Sequence, residues 1–452
     1  MRVWDSRRAS KSENAWVVGF AIIAVLLTIA MVKRLPHVTG SEYWAWRWAR
    51  PPLYSAYLYM ALSAVPLFYT LYCKTHAYTR RRLLRDLLIL SLVNFALQVS
   101  GMFAQSPNFA RLRQIVISKW ATSYYYDALN IHDLKQWLSA FPDVPLSVHS
   151  LTHPIGPILY YYAHLQIFGP IVAPYIGGLL VGLIAATGPA VIYAFSGLWT
   201  DDHRKRLLAA AIYALLPGLV VFLPEFDQDY PLIAMALILF WERALQRSVR
   251  YAVLFGAMLT VALLFAYNLL VLGTFLVLSS VHFLLRHHIT MKKLSRLAAA
   301  TMIAISVLAA SFLFLYFFAG YQSIEAFRSA MTFVEDRPHS VARWWNLYDF
   351  CLGAGYLIPL LSLRSIGRAF RSRESLTSRA SIHTLIGLMT ILVVNFTGVL
   401  DWETARIWLF LQPLVVVPAA VELGRCTYRN QLFIMALQWV ILAVIKVNVL
   451  FV

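Results

Sequence analysis

Charged residues are scarce in this chain. Asp, Glu, Lys and Arg fill 13% of its 452 positions, about half the share found in ordinary soluble domains. That shortage excludes a conventional water-soluble fold. Acids are the scarcer sign, 21 against 39 Lys and Arg, which leaves a formal net charge of +18. The three cysteines, Cys73, Cys351 and Cys426, form no metal-ligand spacing, and an odd number argues against a disulfide framework. A Walker loop, a dinucleotide fingerprint, a zinc-protease motif and a serine elbow are all missing. So are low-complexity tracts, convincing short repeats and any stretch that reads as a separate soluble domain.

What the chain has in abundance is apolar surface: 60% of it is hydrophobic, with a mean hydropathy of +0.65. Apolar runs of roughly 17–25 residues recur, each long enough to cross a hydrocarbon core of about 30 Å. The composition therefore predicts an all-α, polytopic membrane protein. The first run, 15–32, follows Arg2, Arg7, Arg8 and Lys11 in the manner of a signal peptide. It is longer than a usual signal core and leads into MVKRLPH rather than a small-residue cleavage site, so it reads as a retained span. Thirteen spans are expected: 15–33, 52–73, 84–104, 171–199, 207–224, 230–245, 250–266, 269–285, 297–319, 346–363, 381–399, 407–422 and 431–449. With the N-terminus inside and the C-terminus outside, 26 of the 39 Lys and Arg fall in inner segments and 12 in outer ones, as the positive-inside rule requires. The basic excess is thus accounted for by cytoplasmic loops, and nucleic acid is not an expected partner. Two outer segments are long, 105–169 and 320–346. The stretch 152–169 is apolar but too short to span, which predicts an interfacial helix.

On this topology 13 of the 21 acids lie outside or at the outer rim. Orientation does not demand that, because Asp and Glu contribute little to it; a functional demand is the better account. The densest group is FLPEFDQDYPL (Phe222–Leu232), where Glu225, Asp227 and Asp229 stand between two apolar runs. A carboxylate at the bilayer centre costs about 2.5–3.5 kcal/mol even on a lenient scale, so these acids belong at a water-facing rim or in a polar cavity. One chemistry suited to an outer acidic cluster is transfer of a sugar from a lipid-linked phosphate to a hydroxyl. The phosphate leaves without help from an acid, the acceptor hydroxyl needs a general base, and the departing charge needs a forked cationic donor.

Several residues fit parts of that requirement. Glu42 is a lone acid in the aromatic first outer loop, TGSEYWAWRWARPP, where it could act as a base or be incidental to an interfacial aromatic belt. In LDWETARIWLFLQP, Glu403 and Arg406 are three apart. They could simply pair, or Arg406 could grip a lipid-borne phosphate while Glu403 orients it. His149 and His153 are four apart, as helical metal ligands can be, but Pro154 pulls His153 out of helical geometry. A metal pair, a phosphate or sugar contact and a structural turn all remain open. The Glu225–Asp229 acids suit a metal, a sugar, an acceptor amine or a solvated turn. Asp127, beside Tyr124–Tyr126, is a further substrate-binding candidate; these tyrosines and Tyr160–Tyr162 suit sugar stacking and a membrane interface equally well. Asn395-Phe396-Thr397 matches a glycosylation sequon but lies in or against a span.

Four of these stretches together resemble the GT-C class of integral-membrane glycosyltransferases, in particular bacterial relatives of the dolichyl-phosphate-mannose protein mannosyltransferase and aminoarabinose transferase group. They are the acid of the first outer loop (Glu42), THPIGPILYYY, the turn Pro224–Gln228, and the Glu403–Arg406 segment before a late span. The resemblance covers most of the chain. It implies a single transmembrane domain over 1–452, with outer loops near 34–51, 105–170, 320–346 and 400–406 roofing the site. It also implies an inverting transferase of the bacterial cytoplasmic membrane that uses a polyprenyl-phosphate sugar on the outer face, the acceptor being a glycan, lipid or protein. Glu42 is then the base, and Arg406 with His153 contacts the donor phosphate. The chain departs from the family in lacking a paired Asp-Glu in the first loop, which leaves a divalent metal open, and in carrying Ile155 where the family has a second proline. The competing expectation is a secondary transporter or lipid flippase, which usually places ionisable groups at mid-membrane on broken helices. A non-catalytic assembly partner would keep the topology and need no base.

Overall fold

The computed structural model describes residues 11–42, 44–49, 54–72, 79–103, 109–286, 288–332, 339–371 and 376–450. Helices dominate; among the described residues the only sheet pairs Arg47–Trp48 with Val449–Leu450, antiparallel. The chain is an all-α integral membrane protein. Among the described residues seven helices are long and apolar enough to cross a membrane: Glu13–Val32, Arg80–Met102, Gly156–Leu198, Tyr267–Leu285, Met291–Ala319, Arg379–Thr397 and Tyr428–Asn448. An eighth span is made if the bent pair Ala342–Ala354 and Leu357–Ala369 crosses together.

Length and composition thus account for seven or eight of the thirteen expected spans. The expected span 52–73 is one helix over Tyr54–Tyr72, with 52, 53 and 73 outside the described residues, and the remaining expected segments form shorter or interrupted helices. Tyr230–Gln246 has 17 residues and Tyr251–Phe265 has 15, or about 23–26 Å at 1.5 Å per residue. The segment 207–224 is split between His203–Ala214 and Pro217–Val221, because a proline cannot continue the hydrogen-bond ladder. The expected straight span 346–363 bends by 108° between Ala354 and Leu357. Gly355 takes φ +85° there, and a Cβ on it would meet Gln438 Nε2 at 2.3 Å. The piece expected to lie along the interface, 152–169, is helical from Gly156. It runs into the next helix through a break at Gly169, φ +70°.

Two compact units can be distinguished. The first comprises Met1–Phe109, Gly182–Leu223 and His339–Val452. Its core is built on two helices whose buried lengths are almost wholly apolar, His203–Ala214, buried from Leu207 to Ala214, and Pro413–Leu423, buried at every position with Glu422 as its one charged residue. Such helices belong inside a bundle. Alanines let the backbones approach, and Gly188 admits Tyr213, whose ring a Cβ would meet at 2.1 Å. Lys11–Val32 instead shows Val18, Ile22, Val25 and Leu26 on its exposed side, the composition of a lipid-facing surface.

The second unit comprises Ala110–Val181 and Pro224–Pro338. Short helices, Ala110–Val116, Tyr124–Ala128, Leu134–Ser139 and Val148–Leu151, stand where a long segment between spans is expected. Met291–Ala319 packs on Tyr251–Phe265, with Gly256 close against Ala304. Most of its remaining apolar surface is exposed, including Met302, Phe314 and Phe317.

Candidate functional site

In the first unit one buried carboxylate gathers three stretches of chain. Asp349, on the helix His339–Ala354, accepts the Trp46 indole N–H on Oδ1 at 2.6 Å and the Ala405 amide on Oδ2 at 2.8 Å. The Thr404 hydroxyl lies 3.5 Å from Oδ2 and donates to the Asn346 carbonyl at 2.5 Å. Asn346 completes the lock: its amide nitrogen donates to Asp401 at 2.7 Å, and its oxygen accepts the Trp402 amide at 2.9 Å. Trp402 and Glu403 both hold left-handed backbone, φ 66° and 49°, an uncommon conformation for residues with a Cβ that persists only where surrounding contacts impose it.

The loop that follows Lys11–Val32 is folded just as tightly. Thr39 and Trp46 pair across a turn, Ser41 N donates to the Trp44 carbonyl at 2.6 Å, and the Ser41 hydroxyl accepts the Trp44 amide. Gly40 is needed at the base of this turn, since a Cβ would meet the Trp44 oxygen at 2.3 Å. Beyond it, Arg47–Trp48 pairs with Val449–Leu450, and Ala49 donates to the Asn448 carbonyl. Trp44, Trp345, Asn346, Asp349, Trp402 and Glu403 line a small cavity of about 10 Å³, room for about one water. Glu42 is exposed at the tip of the turn, on the loop that supplies Trp44 and Trp46. Arg406 forms an ion pair with Glu403 at 2.6 Å, both side chains being mostly buried. The simple pairing expected for these two residues is therefore present, at the edge of the same lock.

The remaining expected residues belong to the second unit. Asp127 is buried, and it accepts the Ser147 amide and, at 2.8 Å, the Ser147 hydroxyl. It fixes the entry to the helix Val148–Leu151. His153 Nδ1 lies 2.7 Å from the His149 carbonyl and 3.1 Å from the Thr152 hydroxyl, and its ring meets Tyr124 edge-on. The His149 and His153 rings are 6.5 Å apart between centroids. Among the described residues no three His, Cys, Asp or Glu side chains are placed to share a metal ion.

Of the two settings expected for the acidic turn, a water-facing rim or a polar cavity, the exposed rim is not the one observed. Glu225 and Asp229 are buried and Asp227 is part-exposed. Phe226 sits between them, its ring edge-on to Tyr124, Tyr160 and Tyr161. The physical cause is this aromatic packing, which draws the turn inward. Burial pushes the Asp229 carboxyl well above the usual range, and its Oδ1 has no hydrogen-bond partner. Of the tyrosines read as suiting sugar stacking or a membrane interface, four take part in packing or internal hydrogen bonds. Tyr124, Tyr125 and Tyr161 are buried, Tyr125 donates to the Pro170 carbonyl, and Tyr160 donates to the Gly177 carbonyl.

Sequence reasoning counted Asp349 among the outer acids without singling it out. The signal that could have found it is an acid inside an apolar run, in WWNLYDFCLGAG, where only a fully satisfied carboxylate is tolerated. Trp402 and Asn346 carried no comparable signal. No protein-family model matches the chain, and no curated protein matches it in sequence.

Proposed function

We propose that the chain is an integral-membrane glycosyltransferase that moves a sugar from a polyprenyl-phosphate donor to an acceptor hydroxyl. The observation that carries this reading is the double use of Asp349, which accepts from Trp46 on one loop and Ala405 on the other. It ties the loop bearing Glu42 to the segment bearing Arg406, so an acid, an arginine and several tryptophans collect at one end of one unit. Those are the groups the reaction needs. In the reaction Glu42 takes the proton of the acceptor hydroxyl as its oxygen attacks the anomeric carbon. The bond from that carbon to the phosphate oxygen breaks, and the phosphate leaves with the electron pair. Arg406 exchanges Glu403 for the phosphate and neutralises the charge. Thirteen crossings, an inner N-terminus, an outer C-terminus and a site on the outer face of a bacterial cytoplasmic membrane complete the proposal. The chemistry above uses the residues of the first unit alone.

The test is transfer from a radiolabelled polyprenyl-phosphate sugar in proteoliposomes. Glu42→Gln is expected to lower the rate about 100-fold or more, with the protein still folded; undiminished transfer removes Glu42 as the base. A second reading, a transporter or lipid flippase, is favoured by one observation, the 108° break between Ala342–Ala354 and Leu357–Ala369, since broken helices are where transporters bind. Movement of a labelled lipid across the bilayer without sugar transfer, and unaffected by Glu42→Gln, would select it.

A further inference from the structure

The first unit holds a second charged assembly that the proposed chemistry does not use. Glu422, almost fully buried on the helix Pro413–Leu423, is surrounded by three arginines. Arg368 donates twice, Nε to Oε2 at 3.0 Å and Nη2 to Oε1 at 2.6 Å. Arg364 Nε donates to Oε1 at 2.9 Å, and Arg425 Nη1 reaches Oε2 at 3.3 Å. Three positive charges meet one directly bonded carboxylate, and Glu13, which accepts from the Thr427 amide and Asn430 close by, offsets part of the remainder, so the spot stays net positive. Four donors saturate the carboxylate, while each guanidinium carries five N–H groups. The arginine side chains remain 30%, 36% and 41% exposed for Arg364, Arg368 and Arg425, so donors are left facing outward on a scaffold already fixed by Glu422.

The surroundings set the depth. The Arg364 guanidinium lies 4.7 Å over the Trp16 ring. Trp16 stands where the apolar run of Lys11–Val32 begins, the level at which tryptophan marks a membrane–water interface. On the helix that carries Arg364 and Arg368, Leu357–Ala369, Leu363 is exposed one position before Arg364, and exposed Phe370 caps the helix two turns on. Gly367 between them faces open space. An anion held by the arginines would have apolar side chains beside it for an acyl chain. From Trp16 to Val32 is about 24 Å along the helix, so this assembly is separate from the Glu42 loop beyond Val32.

We infer that Arg364, Arg368 and Arg425, pre-set by Glu422, form a binding site for the phosphate headgroup of an anionic phospholipid. Guanidinium forks match phosphate oxygens bidentately, and anionic headgroups attract basic groups at this depth.

The full-length purified protein tests this by native mass spectrometry and thermal melting, after titration with phosphatidylglycerol or phosphatidylcholine. Phosphatidylglycerol is expected to be retained and to raise the melting temperature, and phosphatidylcholine is not. Arg425→Gln leaves Glu422 paired with Arg364 and Arg368, so it should fold while weakening phosphatidylglycerol about fivefold, the factor for ~1 kcal/mol per basic residue. Arg425→Lys should recover most of that loss, and Arg250→Gln, an exposed charge of the second unit, should change nothing. Equal retention of the two lipids overturns the inference, as does an unchanged Arg425→Gln protein or an equal loss with Arg250→Gln. Displacement of the lipid by millimolar inorganic phosphate alone would make the site one for free anions and would also overturn it.

Discussion

Asp349 and Asp229 are both buried carboxylates, one in each unit, and the protein satisfies them in opposite ways. Asp349 accepts from an indole and a backbone amide, with a threonine hydroxyl near by. Asp229 lies in an aromatic setting with one oxygen that has no hydrogen-bond partner, and burial drives its carboxyl toward the protonated form. A buried charge is tolerated when donors replace the lost water; without them the group neutralises instead. The first acid is therefore a structural clamp that orders two loops, and the second is a carboxyl whose affinity for its proton is raised by burial in a packed aromatic core.

Substitutions can break that contrast at its strong end first. Asp349→Ala strands the Trp46 indole and the Ala405 amide, each at about 1–3 kcal/mol. Thermal unfolding in detergent should show the largest loss of any single change in this loop cluster, with protease sensitivity appearing at 40–48 and 401–408. A melting temperature equal to wild type would show that the clamp contributes nothing. Trp46→Phe removes one donor and keeps the ring packing against Phe222. It should cost about 1.5–3 kcal/mol, the range for a hydrogen bond to a charged group. A cost as large as that of Asp349→Ala would place the clamp's strength in the indole alone.

The weak end is sharpened by pH. The folded Asp229 carboxyl keeps its proton to higher pH than the unfolded one, so the folded state binds more protons in between. Its contribution favours folding fully below the unfolded value, and is lost as pH rises from there through the folded value. Asp229→Asn should be close to neutral in acid and stabilising at higher pH, with a flatter profile of melting temperature against pH. A parallel profile for wild type and variant would mean that Asp229 is ionised in the folded protein.

Much of this fold was legible in the sequence because apolar runs of spanning length impose helices whatever surrounds them. The all-α membrane class follows from 15–33, 84–104, 297–319 and 431–449 with little else needed. The 108° bend was not legible, because it depends on Gln438 lying against Gly355, a contact no local pattern encodes. The same holds for the site. Glu42, Glu403 and Arg406 could be picked out as isolated polar residues in apolar surroundings, but Asp349 gains its meaning from Trp46, 303 residues away. For the acidic turn the choice between rim and enclosed cavity was open for a related reason. Counting charges cannot decide it, whereas the rings of Tyr124, Tyr160 and Tyr161 around Phe226 take Glu225 and Asp229 inside.

The two-residue ribbon joining Arg47–Trp48 to Val449–Leu450 also sets a timetable for the nascent protein. Translation passes Trp48 roughly 20–80 s before it reaches Val449, at about 5–20 residues per second. Throughout that interval the stretch bearing Glu42 lacks its far partner strand. A half-made polypeptide can display the acid to the membrane, but the ribbon that braces it closes only once Val449 and Leu450 have been made.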